Sequence, residues 1–135
     1  KCRGWITHLE QKGVAMKSVP FAGGRNIAMK VPPHQYEETV RFYRDILGLK
    51  PLTNHLPNVG FEFGNNQLWI DRVAGMSQAE IWLELATPDV KVAAEHLQEA
   101  GVTRRDEIEP LGDYDGFWIS SPASIIHMVA KPDHY

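Results

Sequence analysis

The sequence predicts an α+β domain built from two copies of a strand–helix–three-strand unit. Three observations carry this. Two helical stretches close at Gly48 and Gly101, 53 positions apart. Each is preceded by a strand whose apolar residues alternate. Each is followed by further short alternating segments with turn residues between them. Such a unit has one apolar sheet face, which its helix covers, so two units side by side leave their opposite faces to enclose a cup.

In the first unit, the segment "NIAMKV" sets Ile27, Met29 and Val31 on one face and Asn26, Ala28 and Lys30 on the other, as in a half-buried strand. Pro32 and Pro33 end it and suit a helix start. Tyr36, Val40, Tyr43 and Leu47 then recur at helical spacing, widened by Phe42 and Ile46. Glu37 and Glu38 suit the helix N-terminus, and Gly48 suits its stop. In "NVGFEFGNNQLWIDRV" an Asn65-Asn66 turn sets Phe63 opposite Leu68 and Glu62 opposite Trp69. Phe61, Phe63, Leu68 and Ile70 form the apolar face; Glu62, Gln67, Trp69 and Asp71 form the other.

The second unit repeats the plan. "AEIWLELAT" places Ile81, Leu83 and Leu85 against Trp82 and Glu84 on the reverse. Thr87 is the expected N-cap, with Pro88 at the first helical position. Val90, Ala93, Ala94 and Leu97 make the buried stripe. A short strand is expected near Ile108, then strands over 116–120 and 124–130. The two modules span about 25–74 and 79–131. Residues 1–24 show no sustained period and read as an extension, partly ordered at best. Trp5, Ile6 and Leu9 have the spacing of a short docking helix, and no 7–15-residue apolar core marks a signal peptide.

Composition narrows the function. The chain has 135 residues, enough for one domain with its own core, and 43% of them are hydrophobic. A net charge of −3 gives no global field toward nucleic acid or an anionic membrane. No apolar run reaches the ~18 residues of a membrane span. One cysteine, Cys2, supports neither an internal disulfide nor a thiolate zinc site, which suits a reducing, cytoplasmic setting. There is no Gly-x-Ser-x-Gly elbow, phosphate loop or His-Glu-x-x-His. His34, His55, His96 and His134 fall in turns, on a helix surface or at the tail. The Asp113-Tyr114-Asp115 loop lies at the rim of the expected cup.

The segments "NIAMKV", "VRFYRDILGL", "ATPDVKVAAEHLQEAGV" and "FWISSPASIIHMV" resemble the vicinal oxygen chelate superfamily over residues 25–131. "FYRDILGL" is the most specific of them. A ferredoxin-like α+β domain is the alternative fold. The resemblance implies paired βαβββ modules, a cup-shaped open mixed barrel with helices outside, and a homodimer. Metal-using members hold a divalent cation with His, Glu or Gln from the first and fourth strands of each module. Those positions fall here on Asn26, on Gln67 or Trp69, on Trp82, and on His127 or Met128. Alternation favours His127 toward the cup. The acidic-Pro-acidic-Gly turn of the family is here Ser121-Pro122-Ala123-Ser124. At most two of four positions suit a metal, so no metal and no cofactor are expected.

Trp69, Trp82 and Trp118 share the cup face with Glu62 and Glu84. Indoles beside carboxylates suit a planar or cationic organic molecule. The expected function is binding of a small hydrophobic, aromatic or cationic ligand, similar in kind to the bleomycin-binding members. Its site residues are Asn26, Glu62, Trp69, Trp82, Glu84, Trp118 and His127. The alternatives are a metal-dependent lyase, isomerase or dioxygenase of the glyoxalase type, and an interaction module that uses the tryptophan face.

Overall fold

The computed structural model describes residues 19–132. Strand β1 is Ala22–Gly23, β2 is Asn26–Val31, and helix α1 runs Pro33–Arg41, continuing as a wider π-turn over Phe42–Ile46. Strands β3 (Val59–Phe63), β4 (Asn66–Arg72) and β5 (Glu80–Ala86) follow. Helix α2 (Val90–Glu99) then leads to β6 (Thr103–Arg104), β7 (Gly116–Ser120) and β8 (Ile126–Ala130). The strands form one mixed sheet in the order β3-β4-β2-β5-β8-β7-β6, with β1 also on β5, and it does not close. No helix among the described residues is long and apolar enough to cross a membrane. Trp5, Ile6, Leu9 and His134, for which the sequence raises expectations, lie outside the described residues.

The two modules meet where β2 pairs antiparallel with β5, Ala28 facing Trp82 and Met29 facing Ile81. Within each module the first strand lies parallel to the last: Asn26 beside Gln67 and Leu83 beside His127. Both helices cover the same sheet face. Val40 packs with Val31, Phe61, Leu68 and Ile70, and Val90 and Ala93 pack with Phe117, Ile119 and Val129. Burying a side chain such as Phe61, 1% exposed, contributes roughly 1.5–3 kcal/mol. Val19 and Phe21 join the second cluster, so part of the segment read as an extension packs onto the domain.

Several local expectations are corrected. The π-turn widens the end of α1, so Phe42, Ile46 and Leu47 leave the buried stripe and lie 43%, 58% and 50% exposed. Gly48 still stops the helix, at φ +68°, and lets the Leu49 amide reach back to the Tyr43 carbonyl. The hairpin turns on Gly64-Asn65, because Gly64 takes the positive φ. Each partner therefore moves by two positions: Phe63 faces Asn66 and Glu62 faces Gln67. A shift of two keeps every side chain on its expected face.

Thr87 does not cap α2. Its amide stays in the sheet, bonded to the Ala130 carbonyl, and the Asp89 carboxylate accepts from Val92 N at 3.1 Å instead. The strand expected near Ile108 lies earlier, at Thr103–Arg104, where it pairs with Ile119 and Ser120. Ile108 belongs to a loop that crosses the open face of the second module and carries Glu109, Leu111 and Tyr114 to the cup.

Candidate functional site: an aromatic cup with a buried charge network

The face away from the helices forms a cavity of about 270 Å³. Its floor is made by the inward residues of β2 (Asn26, Ala28, Lys30) and β4 (Gln67, Trp69, Asp71), with Trp118 from β7 and Met128 from β8. Loops add His55 and Asn58 on one side and Glu109, Pro110, Leu111 and Tyr114 on the other.

A break in strand register builds the corner at Asn26. Gly23 pairs with Leu85, while Ala28 pairs with Trp82, so residues 24–27 lie opposite only two residues of β5. The bulge frees the Asn26 amide from the ladder. Glu84, 6% exposed, receives it at 3.1 Å and takes the Asn26 Nδ2 at 3.3 and 3.4 Å. Gly24 is required here, because a Cβ would run into the Glu84 carboxylate. Asn26 Oδ1 in turn accepts from Trp69 Nε1 at 2.7 Å. The Trp69 ring lies over Gly60, with the position a Cβ would occupy only 2.5 Å from its Cε3. His55 meets the ring edge-on, centroids 5.7 Å apart.

Trp118, 7% exposed, donates its Nε1 to the Glu109 carbonyl at 2.9 Å. It meets Trp82 edge-on at 5.4 Å. Lys30 is the most deeply placed cation among the described residues, 5% exposed. Its Nζ lies 2.8 Å from Asp71 Oδ2, 3.6 Å from Glu109 Oε1 and 4.3 Å from the centroid of Trp82. A buried ammonium needs such partners. On the surface outside the cup, the hydrogen bond between Arg44 and Asp45 lowers the pKa of Asp45 and raises that of Arg44, and hydrogen bonding to Arg105 lowers that of Glu107.

Of the residues singled out from sequence, Asn26, Trp69 and Trp118 line the cavity together. Glu84 lies beneath them, bound to Asn26. Trp82 faces inward, but Lys30 covers its ring and its Nε1 donates to Glu80 Oε1 at 3.0 Å. Glu62 stands outside the cup, half-exposed and 3.3 Å from Lys50. His127 is the main correction of orientation. It pairs with Leu83 and Ile119 and so shares the helix face with the core residue Val129, 0% exposed. Its Nδ1 lies 3.0 Å from the Ile125 carbonyl. Either alternation of β8 buries apolar residues, and packing of Val129 under α2 selects the one that turns Met128 inward.

Sequence reasoning missed Lys30, Asp71, Glu109 and His55 as site residues. Lys30 and Asp71 had a readable signal, since each continues the inward alternation of Asn26 and Gln67. Glu109 and His55 come from loops and had none.

A divalent cation would find few suitable donors in this cup. The four positions named from the resemblance resolve to Asn26, Gln67 or Trp69, Trp82 and Met128. Two amides, an indole and a thioether are poor ligands for a hard catalytic metal. The adjacent carboxylate, Glu84, already accepts three hydrogen-bond contacts from Asn26. Among the described residues no three His, Cys, Asp or Glu side chains converge to hold a metal ion. The residues present do not fit the group.

Comparison with known proteins gives the fold its context. No family model matches the sequence, and no curated protein matches it. Among solved structures, the Mn(II)-bound glyoxalase from Novosphingobium aromaticivorans superposes with a TM-score of 0.62 at 19% identity, covering 85% of this chain and 40% of that one. Methylmalonyl-CoA epimerase from Mycobacterium tuberculosis gives 0.60 at 12% identity, covering 88% and 93%. Homoprotocatechuate 2,3-dioxygenase from Brevibacterium fuscum gives 0.58 at 16% identity, covering 87% and 39%. The chain thus spans about two-fifths of the glyoxalase and the dioxygenase, and nearly all of the epimerase.

Proposed function

Because the chain has the fold of the vicinal oxygen chelate proteins, we propose that it binds a small planar organic molecule in its cup without a metal. One observation carries the reading. Asn26 and Trp69, which fall at positions where metal-using proteins of this superfamily carry ligands, are tied with Glu84 into a hydrogen-bonded knot at the corner of the cup. Two indoles, Trp69 and Trp118, line the cavity beside it. A ring of six to ten atoms suits a cavity of about 270 Å³.

The walls are also held ready. Both cavity-lining indole N–H groups are bonded within the protein, at 2.7 and 2.9 Å. Their rings need little ordering on binding, which avoids a cost of roughly 0.5–1.5 kcal/mol per side chain. The indole faces supply apolar contact and leave recognition of polar groups to Gln67, His55 and Asn58.

The test is a tryptophan-fluorescence screen with mono- and bicyclic aromatic compounds. A hit should show 1:1 quenching or a spectral shift, and Trp118→Leu should weaken it by at least tenfold. Absence of any response across the panel would remove the reading. A glyoxalase-like metalloenzyme is the second reading, favoured by the Mn(II)-bound fold neighbour. It requires stoichiometric manganese retained after desalting.

A further inference from the structure

We infer that the ligand of this cup carries a positive charge, seated at Asp71 and Glu109 beside Trp118. This rests on the binding reading above and adds a charge class to it. Three ionised side chains line the cavity from three elements: Lys30 of β2, Asp71 of β4 and Glu109 of the loop before β7. Their charges do not cancel. One ammonium faces two carboxylates, so the lining carries an excess negative charge.

The geometry shows where the excess points. Lys30 Nζ spends one contact on Asp71 Oδ2 at 2.8 Å, one on Glu109 Oε1 at 3.6 Å and one on the Trp82 ring at 4.3 Å. It is 5% exposed, with little surface left for a ligand anion. The carboxylates are different. Their side chains keep 35% and 45% of their surface, against 7% for the side chain of Lys30. An incoming anion would meet two carboxylates before reaching a saturated ammonium. An incoming cation would meet carboxylate oxygens and the face or edge of an indole, the surroundings that favour ammonium, amidinium or guanidinium groups. Glu62 and Glu84 do not supply this charge, since one lies outside the cup and the other serves Asn26.

The class of ligand is therefore a compact aromatic or heteroaromatic cation. Its ring packs at Trp69 and Trp118, and its charged end lies toward the loop. Trp118 donates to the backbone carbonyl of Glu109, so the same indole that lines the ring site also holds the stretch of loop that carries the carboxylate.

The experiment compares benzamidine with benzamide, a neutral analogue of nearly the same shape, by isothermal titration of the full chain. The readout is the ratio of their affinities. Benzamidine should bind at least tenfold more tightly, the scale of one partly screened charge contact over a few ångströms. Glu109→Gln should reduce that ratio about fivefold, and Lys30→Met should raise it. These opposite changes separate charge recognition from damage to the fold. Equal binding of both probes would overturn the charge assignment while leaving the cup reading intact. Binding of neither, with no neutral ring compound bound in the fluorescence screen, would overturn both.

Discussion

Gly60→Ala should be unusually costly for a strand glycine. A methyl group there would lie 2.5 and 2.8 Å from Trp69 Cε3 and Cζ3 and 3.0 Å from Leu52 Cδ1. Carbon atoms rest at about 3.5–4.0 Å, so the indole must retreat by about 1 Å. It cannot do so freely, because its Nε1 is held 2.7 Å from Asn26 Oδ1. Overpacking costs roughly 1–3 kcal/mol and the lost hydrogen bond roughly 0.5–1.5. Reduced freedom of the unfolded chain returns about 0.4–1 kcal/mol. The net loss is about 2 kcal/mol, which lowers the urea midpoint by about 1 M. Trp69→Leu removes the obstacle, and in that background Gly60→Ala should cost under about 1 kcal/mol. A cost below about 0.5 kcal/mol in the parent protein, or an equal cost in both backgrounds, would refute the reasoning.

The remaining predictions concern single side chains. Thr87 Oγ1 is buried without a hydrogen-bond partner, so Thr87→Val should be neutral or stabilise by about 1 kcal/mol. Asp89→Ala, which removes the true cap, should cost about 1 kcal/mol; the reverse order in denaturant midpoints would restore Thr87 as the cap. Glu84→Ala strands the Asn26 amide and should cost roughly 1–3 kcal/mol, with a red-shifted or quenched Trp69 emission as its indole loosens. His127→Ala lies on the helix face and should leave ligand affinity in the cup unchanged; a tenfold loss in titration would place it back in the site.

Much of the architecture was legible because it is local. Alternation from Asn26 to Val31, the stops at Gly48 and Gly101 and the strand–helix repeat are set by short-range sterics. Errors arose where tertiary contacts chose between local options of similar quality. Both alternations of β8 bury apolar side chains, and only packing of Val129 under α2 selects the one that turns His127 out. Past Arg41 the stripe of α1 keeps Tyr43 on the core and loses Phe42, Ile46 and Leu47, because a π-turn leaves no mark in a hydrophobic period. Within the cup, inward faces of β2, β4 and β7 followed from the pleat, so Asn26, Trp69 and Trp118 were found. Their partners were not. Lys30 and Asp71 lie on the same inward alternation, but Glu109 joins them from a distant loop, and no spacing in the chain encodes that.

The central claim is that the cup takes its ligand with protein groups alone. Isothermal titration of chelator-treated protein with benzamidine, repeated after saturating Mn(II), tests it most directly. The chelated protein should bind 1:1, with an affinity that Mn(II) leaves unchanged. Binding that appears only with Mn(II) would contradict it and place a cation at the centre of the cup.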